Sequence, residues 1–396
     1  MSFPEIDILT SLVARVFRIE DVTMGDSKQW IARYRGQLLT EDSAAAYDRL
    51  AESLKPFGLT PIFRRGDRQE QVVFLTRTPP APKLTVRPVV NLILFVITIF
   101  SVMLMGVDVD PNLVPADPMQ QMLFLLRHIF TGWPFALSML GILLAHEMGH
   151  YLACRYYKIP ATLPFFLPAP FLSPLGTLGA FIMMRGTPKN KRLLFDVGVA
   201  GPLAGLVIAI PVLFLGLSLS PLGPIGHAQG GFLEGNSLFY LFAKYLAFGK
   251  LLPEPLSTGG LPVWLYWLKY FFTGRPIPLG GMDVQLHSVA LAGWAGLLVT
   301  ALNLVPVGTL DGGHVAYGLF GDKARKAFPF VIGAMIVLTL FSFSWALWTF
   351  ILLWLGRVRS EPLDDITPLD PPRRALGYFV LVVFVLVFAP IPMTMY

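Results

Sequence analysis

Two histidines four residues apart, His146 and His150, enclose Glu147, Met148 and Gly149 in the pattern HExxH. On a helix, residues at that spacing lie one turn apart and about 40° around the axis, so both imidazoles can reach one ion. Glu147 falls on an adjacent face, where a carboxylate can act as general base toward metal-polarised water. The expected cofactor is Zn2+, one ion per chain, and the expected chemistry is hydrolysis. The motif ends an apolar run, Phe135 to Ala145. Ionisable groups in such a setting are costly to keep and mark function.

A catalytic zinc site needs a third protein ligand and an open fourth position. The strongest candidate is Asp311, in the stretch from Asn303 through Pro306, Gly308, Thr309 and Leu310 to Gly312, Gly313 and His314. Pro306 and the glycines break helical geometry and free the backbone to turn Asp311 toward a metal. Without a metal, the same stretch reads as a helix exit and a Gly-rich turn. Cys154 lies eight residues beyond His146, too far along the helix to join the ligands, and is read as packing. His314 is placed beside the site or facing a loop, not as a ligand. His128, His227 and His287 have no tie to it.

The two motifs together resemble the site-2 protease family of intramembrane zinc metalloproteases, whose pattern is HExxH in one membrane helix and NxxP…LDG in a later one. The matching residues are His146, Glu147 and His150, then Asn303, Pro306, Leu310, Asp311 and Gly312. The resemblance covers about residues 130 to 320. It implies that His146, His150 and Asp311 bind zinc and that Glu147 is the catalytic base. Asn303 would stabilise an oxyanion, or else form an inter-helix hydrogen bond. Gly308-Thr309 stands where prolines are frequent. The small-residue run from Gly198 to Gly205 is similar to the family's second core helix, which packs beside the HExxH helix. The likeness also points to the chloroplast and cyanobacterial-type subgroup.

The elements that must position these residues are mostly apolar. Of 396 residues 54% are hydrophobic and 14% charged, and the mean hydropathy is +0.62. Such values fit a polytopic α-helical membrane protein and exclude an ordinary soluble enzyme. Residues 1–88 hold 24 of the 56 charged side chains, so a small N-terminal α+β soluble domain is expected. The net charge of +6 is read as basic cytoplasmic loops and no nucleic-acid partner. A single cysteine excludes an internal disulfide. Met1 to Glu20 carries charges among its apolar residues, so no cleavable signal is expected there.

The spacing predicts a helix from Asp42-Ser43 to Gly58, strands around a Gly66-Asp67 turn, and a strand near residues 30–39. Expected domains are a cytoplasmic α+β domain at 1–80, a Pro-rich linker at 81–88, a first membrane helix and outer loop at 89–130, the catalytic core at 131–320, and C-terminal membrane helices at 321–396. Spans are expected near 89–107, 132–153, 193–219, 284–305 and 376–395, with 329–355 as one long helix or a hairpin. The total is about six to eight. Stretches 232–249 and 261–273 are read as interfacial, with Trp264, Tyr266, Trp267 and Tyr270 as an aromatic belt. Asp196 is read as a charge at a helix start.

Lys189, Lys191, Arg192, Lys323, Arg325, Lys326, Arg357 and Arg359 orient the basic loops, and the N-terminus, to the cytoplasmic side. The arginines at 357, 359, 373 and 374 favour the hairpin. The chain is thus expected to lie in the plasma or inner membrane, or in a thylakoid or chloroplast membrane of a photosynthetic organism. Its expected partners are the lipid bilayer and membrane-protein substrates, unwound beside a guiding strand at Gly176, Thr177 and Gly179, a stretch that reads equally as an ordinary amphipathic cytoplasmic linker. The reading of a different class is a transporter or channel with a structural metal site.

Overall fold

The computed structural model describes residues 3–25, 30–66, 70–79, 87–110, 113–226, 232–356 and 361–395. Asp67, His227, Arg357, Arg359 and most of the expected linker at 81–88 lie outside the described residues.

The N-terminal elements are α1 (Phe3–Ala14), β1 (Phe17–Met24), β2 (Ala32–Leu38), α2 (Ser43–Leu54), β3 (Leu59–Arg65) and β4 (Gln71–Arg77). The strands form one antiparallel sheet in the order β1-β2-β4-β3. Asp42 caps α2 by accepting from the Ala45 N–H, as short polar residues do at helix starts. Ala46, Tyr47, Leu50 and Leu54 then recur at helical spacing and bury one face against the sheet. The helix and the strand pair fall where expected. Helix α1 and strand β1 have no counterpart in the sequence reading, because charges interrupt both patterns.

The remaining chain is helical: α3 (Pro88–Met105), α4 (Pro118–Arg127) and α5 (Trp133–Tyr156), a hairpin of β5 (Phe165–Pro168) and β6 (Thr177–Phe181), then α6 (Lys191–Ser218). A small module follows, with β7 (Leu222–Pro224), β8 (Phe232–Glu234), α7 (Leu238–Phe248), α8 (Val263–Thr273) and β9 (Met282–Val284). It leads into α9 (Ser288–Asn303), α10 (Asp311–Phe320), α11 (Asp322–Arg325), α12 (Phe328–Phe341), α13 (Ala346–Leu355), α14 (Pro371–Val387) and β10 (Met393–Met395). Strand β10 returns to pair with β8, and β7 pairs with β9.

Among the described residues, four helices are long and apolar enough to cross a membrane: Pro88–Met105, Ile129–Tyr156, Lys191–Ser218 and Asp322–Phe341. Shorter apolar helices run over Leu238–Phe248, Ser288–Asn303 and Phe343–Trp354. Large apolar side chains such as Leu340 (81% exposed) and Phe343 (87%) face outward, as lipid-facing residues do.

The stretch 329–355 forms a hairpin rather than one helix, pinned by the 2.9 Å hydroxyl pair Thr339–Thr349. The stretch expected to span at 284–305 is helical over only 16 residues. At 1.5 Å per residue that is about 24 Å, short of the roughly 30 Å of a bilayer's apolar core. It stops at Asn303 because Pro306 follows and Gly308 takes a left-handed conformation (φ 58°). Proline, held near −65°, cannot adopt that φ. The departure at 308 is therefore part of how this loop turns.

Tyr266 and Tyr270 are buried and stacked, 6.1 Å between ring centres. They are core residues of the module, and of the expected aromatic belt Trp264 is exposed. Asp196 is not at a helix start. Asn190 caps α6 by accepting from the Leu193 N–H. Asp196, inside the helix, accepts from Arg373 through Nε (2.8 Å) and Nη2 (2.7 Å) and from the Tyr157 hydroxyl. It ties the end of α5 and the start of α14 to α6.

Candidate metal centre

Helices α5, α6 and α9 pack against one another at the centre of the bundle. Close approach depends on glycine. A side chain at Gly149 would strike the Ala200 carbonyl, and one at Gly201 would overlap the His150 imidazole. The small residues of α6 thus do more than admit a neighbouring helix: they leave the space in which the imidazoles sit. Gly205 stands similarly close to His146, 3.2 Å from its Nδ1 to the position a Cβ would occupy.

Within that space His146 and His150 turn their Nε2 atoms toward each other, 3.3 Å apart. Asp311, the first residue of α10, brings Oδ2 to 3.3 Å from each of them. The three donor atoms form a nearly equilateral triangle. A tetrahedral ion with bonds of about 2.0–2.1 Å separates its ligands by about 3.3–3.4 Å, so these residues fit zinc. His146, His150 and Asp311 are the only such group among the described residues. The His150 Nδ1 lies 2.7 Å from the Val197 carbonyl. A proton donated there leaves Nε2 free to bind metal.

Glu147 is buried on the neighbouring face of α5, with the Ile182 backbone N–H close to its carboxylate. Ile182 directly follows β6, so the end of the hairpin reaches the acid. Asn303 joins the site from α9, with Nδ2 3.3 Å from the His146 Nε2. His314, buried one turn beyond Asp311, rests against Gly198 and contributes no ligand. His128 and His287 lie elsewhere, bonded to the Phe124 carbonyl and the Val289 N–H. Cys154 is buried among Ile159 and Val197.

The hairpin residues divide. Gly176 and Gly179 take positive φ values of 72° and 101°, where glycine is favoured. Thr177 is buried, and its hydroxyl donates to the Leu167 carbonyl at 2.8 Å. Its side chain is therefore spent inside the hairpin. Strand β6 pairs only with β5 among the described residues, and β5 is the strand that α3 covers. Two residues of α3 hold the hairpin, and sequence reasoning missed both. Asn91 donates to the Leu163 and Pro164 carbonyls at 2.9 Å, and Ser101 to the Gly176 carbonyl at 2.5 Å. Polar side chains inside an apolar span were the available signal.

The profile of peptidase family M50 matches residues 134–347. The chain belongs to that family. The matched M50 region contains the three converging side chains, Glu147 and Asn303, whereas α3 and the N-terminal sheet lie outside it. Similar proteins include the "Probable zinc metalloprotease EGY1, chloroplastic" of Oryza sativa subsp. japonica, 30% identical over 79% of this chain and 52% of that protein. Its Arabidopsis thaliana counterpart is 29% identical over 79% of this chain and 55% of its own length. The "Probable zinc metalloprotease EGY2, chloroplastic" of Arabidopsis thaliana is 29% identical over 66% of this chain and 42% of its length. This M50 chain therefore spans about half the length of the curated relatives it matches. No solved structure matches it.

Proposed function

We propose that this M50 chain is an intramembrane zinc metalloendopeptidase that hydrolyses peptide bonds in or near the membrane segments of protein substrates. The observation that carries the reading is the 3.3 Å triangle of His146, His150 and Asp311, with Glu147 beside it, inside a bundle of apolar helices. The residues holding the metal are those three. When bound, one zinc ion per chain supplies Lewis-acid polarisation of the scissile carbonyl and of a water molecule.

Glu147 takes the proton of the attacking water and returns it to the leaving amine. The Val197 carbonyl keeps the His150 ring aimed at the site. Asn303 is placed to donate to the developing oxyanion. A helical substrate hides its backbone groups in its own hydrogen bonds and must unwind before it is cut. The edge of β6 that has no strand partner among the described residues offers those groups new partners, with Gly176 and Gly179 shaping the strand and Thr177 locking it. The closeness of Ile182 to Glu147 supports an edge that runs beside the base.

In this reading residues 131–320 are the catalytic core and 1–80 a cytoplasmic domain. Six to eight spans would need shorter apolar helices such as α9 and α13 to cross beside the four long ones. The membrane is a plasma or inner membrane, or a thylakoid or chloroplast membrane; the relatives' names carry the word chloroplastic. The transporter reading has less support. Buried and half-buried charges away from the centre pair among themselves: Lys244 with Glu234 and Asp283, Lys191 with Asp365, Asp196 with Arg373.

Zinc content and cleavage of a single-span substrate, measured on the parent, Glu147→Gln and Asp311→Ala, test the proposal. The parent and Glu147→Gln should each carry about one zinc, Glu147→Gln should cut nothing, and Asp311→Ala should retain zinc poorly. Full zinc retention by Asp311→Ala, or cleavage by Glu147→Gln, would refute the assigned roles.

A further inference from the structure

Outside the region that the family profile matches, residues 361–367 run as an extended strap between the N-terminal sheet and the helices of the metal centre. On one side the strap extends the sheet. Phe63 of β3 donates to the Leu363 carbonyl (2.9 Å) and accepts from the Asp365 N–H (3.0 Å). Arg64 donates to the Pro362 and Leu363 carbonyls and pairs with Glu361 at 3.4 Å. Ile366 is buried in the core of the N-terminal domain, and Ser43 and Thr367 share a 2.9 Å hydroxyl contact.

On its other side the strap meets the start of α6. Leu363 and Asp364 donate to the Pro188 and Lys189 carbonyls at 3.0 and 2.7 Å. The next residue of the chain there, Asn190, is the cap of the helix whose glycines seat the imidazoles. Asp365 turns inward. Its carboxylate accepts from the Tyr317 hydroxyl and pairs with Lys191 at 2.8 Å. Tyr317 lies on α10, six residues after Asp311, about 9 Å along the same helix. The Tyr317 ring also lies near two cations, 5.3 Å from Lys191 and 5.1 Å from Arg325. Arg325 pairs in turn with Glu361 at 2.9 Å.

We propose that the strap couples the N-terminal domain to the metal centre, with Asp365 as a positioning residue that acts on Asp311 through Tyr317 and α10. The reasoning is mechanical. Asp311 heads a helix of only ten residues that follows an irregular loop, so its placement depends on what holds the rest of that helix. A buried carboxylate is costly unless bonded, so Asp365 has one favourable arrangement: between Tyr317 and Lys191, with its backbone on Phe63. Docking of the domain and alignment of the ligand therefore occur together. A partner that drew the domain off the strap would loosen the metal site without touching it.

The inference rests on the zinc reading above, and the experiment separates the two. Zinc affinity is measured by chelator competition on the full chain, with circular dichroism as the control for folding. Tyr317→Phe keeps the ring and removes only the hydroxyl; Asp365→Ala removes the acceptor; Arg64→Ala loosens the strap on the sheet by removing the side-chain contacts to Glu361, Pro362 and Leu363, without touching α10. The first two should each weaken zinc binding about tenfold, by analogy with the loss of outer partners of metal ligands. The double variant should lose no more than Asp365→Ala alone, because both remove one contact. Arg64→Ala should weaken binding in the same direction by less than about tenfold, an effect that simple packing of α10 would not produce.

Parental affinity in Tyr317→Phe and Asp365→Ala would overturn the positioning role, and parental affinity in Arg64→Ala would overturn the coupling to the domain. A parent chain that takes up no zinc would overturn the zinc reading itself, and this proposal with it.

Discussion

Gly201 has no side chain because the His150 imidazole occupies that space. Gly201→Ala should therefore displace the ring and lower zinc affinity by at least about tenfold, with helix content unchanged. Metal titration followed by circular dichroism checks both. The chemistry at this scale was largely legible in the sequence. A spacing of four puts His146 and His150 on one helix face without any tertiary knowledge, and Asp311 follows a helix-breaking proline and glycine. The roles of Gly201, the Val197 carbonyl and the Ile182 N–H were not legible. Each depends on which residue of another element lies opposite, and glycine and backbone groups carry no chemical signature in a sequence.

The β5–β6 hairpin depends on α3 for its anchorage, so a helix outside the matched family region supports the edge beside Glu147. Asn91→Ala leaves the Leu163 and Pro164 carbonyls without their donor, a loss of about 1–3 kcal/mol when such groups stay unsatisfied. The expected outcome is a lower thermal midpoint in detergent and a raised KM for a membrane substrate, with zinc content kept.

The module between α6 and α9 carries a second measurable property. Lys244 is wholly buried, 3.0 Å from Glu234 and 3.2 Å from Asp283. Burial, reinforced by the Glu234 carboxylate and only partly offset by that one cation, pushes Asp283 up to about 6. An unfolded aspartate titrates near about 3.9. Between those values the folded chain holds a proton that the unfolded chain has released, so stability rises as pH falls through the window and is lost as pH rises. Thermal midpoints should be higher at about pH 5 than at about pH 7, and the difference should shrink in Asp283→Asn. Apolar periodicity located most elements but misjudged α9. Its C-terminal end is set by the turn at Pro306 and Gly308, not by where apolar residues stop.

Across the whole molecule, the strap, the basic segment before α6 and the N-terminal sheet meet at one end of the bundle, and the α7–α8 module lies at the other. Cysteines placed singly at Glu41 and Lys323 should therefore react with an impermeant thiol reagent from one side of the membrane. A cysteine at Leu256, which is 80% exposed, should react from the opposite side, and the buried Cys154 should stay silent. Labelling of positions 41 and 323 from opposite sides would refute this topology. What the sequence alone determined was local: an ion-binding helix face, a carboxylate after a helix break, apolar segments and a charged N-terminal region. Spacing and hydropathy encode these directly, because they depend on residues near one another in the chain. Only the tertiary structure decided that Asp311 meets the imidazoles at 3.3 Å, that α3 holds the hairpin, and that residues 361–367 join the sheet to α10. Those contacts link residues tens to hundreds of positions apart, and packing selects them from many arrangements that the same local patterns would allow.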